Sequence, residues 1–262
     1  MSVIARQTWE TVPLGPLASG FTGGNQDTLF NGVQQKANGR ASVINDSQMG
    51  RCLAAYVRPG DNNVSGSGNG ERCEAVYGHK AYTGIGKQSW LNIRLKLPGP
   101  QTQGVKFSPV PANIDPEWNY LFQFHQTSGN PLEAGQNPVS AYYDSGDGSI
   151  KMKTYGGTAK SANRKTFTLI KNAQLDTVYD IVLGLKWSDP KQGDGWIEAY
   201  VNGALAIPRT QVYNVYDGLT NYLKMGIYRK GGHNQESRVL SKVLAVGETR
   251  EDLSVEIPDN PT

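Results

Sequence analysis

The sequence predicts an all-β fold, a two-sheet antiparallel sandwich of jelly-roll type. Three observations carry that prediction. Short runs with strand-like alternation recur between turn signals along the chain. Two of them close on tight hairpins, at Asp147-Gly148 within "SAYYDSGDGSIKMK" and at Asn202-Gly203 within "WIEAYVNGALAI"; the latter dipeptide suits a type I′ turn. The composition, with 31 glycines and Tyr and Trp together outnumbering Phe, fits many short strands better than a helical bundle. At 262 residues, with neither an internal repeat nor a Pro/Ser linker, the chain is expected to form one domain spanning residues 1–262.

Taken in order, "GRCLAAYV" and "ERCEAVYG" read as strands joined by the turn-rich "DNNVSGSGNG". Each carries one cysteine, Cys52 and Cys73, and two arrangements fit: a cross-strand disulfide or a pair of buried thiols. "WLNIRLKLPG", "NYLFQFHQ" and the hairpin "VSAYYDSGDGSIKMKTYGG" follow. The looser, basic "TYGGTAKSANRKTFTLIKNAQLDT" reads either as a loop bordering a cleft or as a solvated surface loop. "VYDIVLGLKW", "GWIEAYVNGALAI", "YLKMGIYRK" and "SRVLSKVLAVGE" complete the strands.

Several function classes are disfavoured. A formal net charge of +3 is too small to announce nucleic acid as a partner. No run approaches the ~20 apolar residues of a membrane span, and the first residues lack the basic-then-apolar pattern of a leader. No glycine-rich phosphate motif is present, so no cofactor is expected. His79, His125 and His233 are scattered without ligand spacing, so no catalytic metal is expected, although Asp144 and Asp147 offer a place for a structural calcium. Hydrolysis of a glycosidic bond needs two flanking carboxylates, and no Glu-x-Asp-x-Glu pattern occurs.

Three strands place polar groups where a sandwich would show a plain surface. In "NYLFQFHQ" alternation puts Leu121, Gln123 and His125 on one face and Phe122, Phe124 and Gln126 on the other. In "NYLKMGIYRK" Leu223, Met225 and Ile227 share the apolar face, opposite Tyr222, Lys224, Gly226, Tyr228 and Lys230. In "GERCEAVYG" Arg72 and Glu74 lie on one face. Each pattern alone has a plain structural explanation, such as a satisfied core histidine or a surface ion pair.

Together, Arg72-Cys73-Glu74, Gln123-Phe124-His125 and Tyr222-Leu223-Lys224-Met225-Gly226-Ile227-Tyr228 occur in the order of three signature motifs of jelly-roll polysaccharide lyases. Alginate lyases of that group carry Arg-x-Glu, Gln-x-His and Tyr-Phe-Lys-Ala-Gly-x-Tyr. The ending "KMGIYR" is more similar to the heparin lyase and glucuronan lyase branch. The resemblance covers roughly residues 40 to 248. It implies a concanavalin A-like β-jelly roll with a concave substrate groove, and a lyase cleaving a 4-linked uronate polymer, glucuronan- or heparin-like, by β-elimination. Arg72 and Gln123 would neutralise the sugar carboxylate, His125 would serve as base and Tyr228 as acid. Lys224 or Arg229 would lower the Tyr228 pKa. Glu74, Tyr222, Lys224, Gln126 and Arg229 would contact substrate.

For glucuronate or mannuronate, where proton and leaving oxygen share a side, Tyr228 alone could play both parts; for iduronate or guluronate, His125 and Tyr228 would divide them. Sulfate recognition would draw on Lys80, Lys87, Lys153, Lys160, Arg164, Lys165, Lys224, Arg229 and Lys230, whereas the modest net charge leans toward a non-sulfated polymer. The partner is then an acidic polysaccharide and the protein a monomer. It would be secreted or periplasmic with its leader absent from this sequence, a cytoplasmic location being the alternative. The rival readings are a non-catalytic lectin-like domain on the same sandwich and an alginate lyase.

Overall fold

Alternating apolar residues dictate two facing sheets, and the computed structural model shows them in residues 5–7, 9, 12, 14–18, 30–64, 68–77, 84–113, 115–126, 137–157, 163–216 and 219–253, which it describes. The strands are β1 (Ala5–Gln7), β2 (Gly15–Pro16), β3 (Phe30–Gln35), β4 (Ala41–Asp46), β5 (Gly50–Val57), β6 (Gly70–Tyr77), β7 (Gln88–Lys96) and β8 (Asn119–Gln126). They continue as β9 (Val139–Asp144), β10 (Ser149–Thr154), β11 (Lys165–Ile170), β12 (Val178–Lys186), β13 (Trp196–Val201), β14 (Ala204–Gln211), β15 (Asn221–Lys230) and β16 (Ser237–Gly247). A nine-stranded sheet runs β14-β13-β12-β7-β16-β5-β4-β2, with β1 beside β16, and a seven-stranded sheet runs β11-β10-β9-β8-β15-β6-β3. All ladders are antiparallel, as expected for a jelly-roll sandwich. No helix among the described residues is long and apolar enough to cross a membrane.

The core fills the space between the sheets. Phe122, Phe124, Leu223, Met225 and Ile227 from one sheet belong to the same buried cluster as Leu53, Ile93, Leu95, Ile181, Leu183 and Val243 from the other. Phe124 meets Trp187 edge-on at 4.9 Å, and the Trp187 indole donates to Ser89 Oγ at 2.8 Å, so the one polar atom of that ring is satisfied. The Asn202-Gly203 hairpin joins Val201 to Ala204 with both turn residues at positive φ (49° and 79°), the type I′ geometry its dipeptide predicts. The β9-β10 hairpin pairs Asp144 with Ser149 around a turn that ends on Gly148 at φ 72°.

Three expectations are resolved here. Cys52 and Cys73 are both free and buried: β5 and β6 enter different sheets rather than pairing, which rules out the cross-strand disulfide. Burial pushes the Cys52 thiol up to about 12, so it is protonated and unreactive at neutral pH. Asp144 and Asp147, the carboxylates offered for a structural calcium, both hold the Lys151 ammonium, at 2.6 and 2.7 Å.

The third concerns β8, where strict alternation fails. Its register with β9 slips between Tyr120 and Phe122, and its register with β15 slips between Met225 and Tyr228. The bulge turns Leu121 into the core beside Phe122 and leaves Tyr120 among the outward rings of Tyr142 and Tyr228. Leu121 therefore does not share a face with Gln123 and His125.

Arg229 also departs from expectation. It follows Ile227 on the inward side of β15 and is fully buried with Glu71, which accepts from its Nε at 2.8 Å. Its other nitrogens donate to the carbonyls of Ser108 (3.0 Å) and Gln235 (2.5 Å). It is a structural ion pair, not a substrate contact. Arg229→Met should strand the Glu71 carboxylate and lower unfolding free energy by about 3–5 kcal/mol in denaturant titrations; unchanged stability with weakened substrate binding would restore the contact role.

Candidate active site

On a strand, residues two apart share a face, and adjacent antiparallel strands bring such rows into line. The three motif-bearing strands are neighbours: β15 lies between β6 and β8. Its register sets Lys224 opposite Gln123 and Tyr222 opposite His125 on one side. On its other side Gly226 faces Glu74 and Tyr228 faces Arg72. With the apolar partners of these residues buried in the core, the polar row emerges on the outer face of the seven-stranded sheet.

Glu74 is the hub. It is 1% exposed, and its two oxygens meet Arg72 Nε at 3.0 Å and Gln123 Nε2 at 2.6 Å. Gln123 thus spends one amide hydrogen on Glu74 and is itself fully buried beside it. On the far strand β3, Gln34 Oε1 accepts from Lys224 Nζ at 3.1 Å and more weakly from Arg72 Nη1 at 3.4 Å. Arg72 also lies over the Tyr228 ring, 4.1 Å from its centroid. Tyr228 is boxed in by Trp118 edge-on at 5.6 Å and Tyr120 stacked at 5.9 Å. Gly70 completes the box, because a Cβ there would fall 2.2 Å from the Tyr228 ring and 3.0 Å from Trp118.

The electrostatics follow from burial. Lys224, 2% exposed, is drawn down to about 8, first by desolvation and then by the Arg72 charge, against the pull of Glu74. His125 falls to about 4, mainly by desolvation with Lys224 adding repulsion, so it is neutral at working pH. Its Nδ1 sits 2.9 Å from the Gln126 carbonyl, which can only accept; Nδ1 therefore carries the proton and Nε2 the free lone pair. Burial pushes the Tyr228 phenol up, while a hydrogen bond to Arg72 and its charge pull the other way.

Some predicted residues lie elsewhere. Gln126 follows the core side of β8 with Phe122 and Phe124, and Arg229 is interior. Glu74 is closed off beneath Arg72 and Gln123, so it positions them rather than touching a sugar. The cation beside Tyr228 is Arg72, not Lys224 or Arg229, and the net effect on Tyr228 is upward, not downward. Tyr222 does lie in the row, its ring 5.5 Å from His125 and 5.4 Å from Lys224 Nζ. Gln34 and Tyr120 were not foreseen: Gln34 belongs to no motif, and Tyr120 reaches this face only through the bulge. Lys80, Lys160 and His79 lie outside the described residues, and His233 sits away from the row, with Nε2 3.3 Å from Ser108 Oγ.

Comparison with known proteins agrees with this architecture. The chain aligns with an endo-β-1,4-glucuronan lyase of the fungus Trichoderma reesei at a TM-score of 0.60 and 15% identity, covering 81% of this chain and 88% of that one. An alginate lyase solved with an alginate trisaccharide gives 0.55 and 13%, covering 95% and 100%. An alginate lyase of Pseudomonas aeruginosa gives 0.52 and 14%, covering 85% and 99%. These likenesses concern the fold. No curated protein sequence matches the chain. A family model, that of the polysaccharide lyases, matches residues 18–241, which takes in all three motif strands and both sheets, and the chain is accordingly a polysaccharide lyase belonging to that family.

Proposed function

We propose that this lyase acts on a 4-linked, non-sulfated polyuronate of glucuronan type, by β-elimination at the Arg72–Tyr228 group. The observation that supports it is the union, on one sheet face, of donors suited to a carboxylate and a phenol held on a guanidinium. Elimination removes the proton at C5, breaks the C4–O bond, forms the C4–C5 double bond and returns a proton to the departing oxygen. The C5 proton is barely acidic while the neighbouring carboxylate is charged, since its loss builds a second negative charge. Arg72, Gln123 and Lys224 would offset that charge, each donor contributing roughly 3 kcal/mol.

In glucuronate the proton and the leaving oxygen share a face, so one group can serve both. Tyr228 would enter the step as the phenolate, stabilised by the Arg72 guanidinium, take the C5 proton to become the phenol and pass that proton to O4, which returns it to the phenolate. His125, neutral with its Nε2 lone pair free, suits the opposed geometry of iduronate or guluronate.

Among the described residues, most of the cations named for sulfate recognition already have partners, which favours a non-sulfated polymer. Lys153 and Arg164 are held by Glu117, Lys230 faces Asp115 at 4.0 Å, Arg229 is buried with Glu71, and Lys165 donates to the Gln211 carbonyl. The glucuronan lyase aligned above, acting on a β-1,4 polyglucuronate by its name, is consistent with the same substrate class.

The test is ultraviolet detection of unsaturated uronate on a panel of glucuronan, mannuronan, guluronan, heparin and heparan sulfate. Glucuronan should give product. Tyr228→Phe should lower kcat by about 10³-fold with binding retained, while His125→Ala should stay within about tenfold of the parent on glucuronan. The reverse ranking would transfer the base to His125, and binding without product on every polymer would make the face a lectin site.

A second expectation concerns Gly70. Gly70→Ala should displace the Tyr228 ring and lower kcat by about 100-fold, with a nearly unchanged melting temperature; full activity would show that the ring is not held by this contact.

A third follows from Lys224. Its folded pKa of about 8 lies below the ordinary 10.5, so the charge is lost as pH rises through 8. KM should therefore increase above pH 8. Stability should move the other way, improving between pH 8 and 10.5, because there the unfolded chain binds the proton that the folded chain has released. Parallel KM and unfolding titrations check both signs, and a KM flat to pH 10 would remove Lys224 from carboxylate binding.

A further inference from the structure

Beside the Tyr228 group, the same sheet face carries a second charged cluster. Lys153 on β10 stands opposite Ser140 of β9 and is 3% exposed. Its ammonium meets the Tyr142 ring at 4.2 Å and the Glu117 carboxylate at 2.6 Å. Both Glu117 oxygens also accept from Arg164 Nη2, at 2.9 and 3.0 Å. The cluster adjoins the catalytic candidate twice. Tyr142 meets Tyr120 edge-on at 6.5 Å, and Tyr120 stacks on Tyr228; Trp118, next in the chain to Glu117, packs against the same phenol.

Two cations converging on one carboxylate reproduce what a uronate offers at each sugar. The two arms of the arrangement differ in kind. Lys153 is buried and needs an anion at all times. The Arg164–Glu117 arm is 43% and 40% exposed, and such pairs hold weakly. Glu117 itself sits in the short 115–118 turn, where its backbone N–H donates to Asp115 Oδ1 at 3.3 Å, rather than within a strand. A carboxylate arriving from outside could therefore replace Glu117 without leaving Lys153 unpaired at either end of the exchange.

We infer that Lys153 and Arg164 form a second carboxylate site, for a uronate other than the one being cleaved, and that Glu117 occupies it until the polymer arrives; this rests on the polyuronate reading above. Glu117 then acts as an internal competitor whose removal favours the substrate.

Binding is read by affinity electrophoresis of the full chain through gels containing glucuronan, in a Tyr228→Phe background that leaves the polymer uncleaved. Glu117→Gln should bind roughly two- to fivefold more tightly, although its melting temperature falls because Lys153 loses its counterion. Lys153→Met should bind about tenfold more weakly. On carboxyl-reduced polymer the gain from Glu117→Gln should vanish. Unchanged or weaker glucuronan binding by Glu117→Gln, with the same fall in melting temperature, would mark a purely structural ion pair and overturn the inference. A gain that persists on the reduced polymer would overturn it as well. Because the readout is binding, a parent enzyme that binds glucuronan without cleaving it would sink the elimination chemistry and leave this result standing.

Discussion

The active face depends on one carboxylate. Glu74 on β6 bonds to Gln123 on β8, and the two strands are separated by the whole width of β15. The link must therefore pass over β15, and it does so at Gly226, which pairs with Glu74 and presents no side chain to obstruct it. Gly226 has a second reason to be glycine: at φ 144° a Cβ would come within 2.3 Å of the Cys73 carbonyl and 2.9 Å of Glu74 Cα. With Glu74 fixed, Arg72 is held by its Nε and can lie over Tyr228, while Gln123 is tied to the same carboxylate from the other side. Without that carboxylate, Arg72 would face Lys224 with nothing to balance either charge.

Much of this was legible in the sequence because it depends on alternation and on motif order. Phe122 and Phe124, or Met225 and Ile227, declare which face of a strand is buried, and so fix where Gln123, Lys224 and Tyr228 must point. The Asn202-Gly203 turn declares its own geometry. That β6, β15 and β8 are neighbours is a different matter. β15 follows β8 by almost a hundred positions, and nothing local in "KMGIYRK" says which strands flank it. The order of the three motifs suggested that they converge; the sheet topology shows it.

What stayed hidden has a common physical origin in departures from period two and in pairs between distant strands. The bulge at Leu121 reverses the faces of Leu121 and Tyr120, and no residue type there announces it, because leucine and tyrosine suit either side of a sheet. Gln34 joins the site only because β3 pairs with β6 and sets it opposite Glu74, on a strand whose sequence, "FNGVQQ", carries no motif. Arg229 misled for the opposite reason: it sits next to Tyr228 in sequence, yet strict alternation sends adjacent residues to opposite faces, and its charge is neutralised inside by Glu71. Gln126 obeys the same rule at the end of β8.

Burial drives three of the site's groups toward their neutral forms. It lowers His125 and Lys224 and raises Tyr228. The Arg72 guanidinium is balanced instead by the Glu74 carboxylate, 3.0 Å from its Nε. The Arg72–Glu74 pair thus adds shape without adding net charge, and among the described residues of this group Lys224 is a positive charge whose partner, Gln34, is neutral. On the proposed reading, a single uronate carboxylate matches the Lys224 charge, while the next cations of this face, Lys153 and Arg164, are shared with Glu117. The same sheet face thus supplies hydrogen-bond donors in number and net charge sparingly, a ratio that fits the proposed polymer, with its one carboxylate and no sulfate on each sugar.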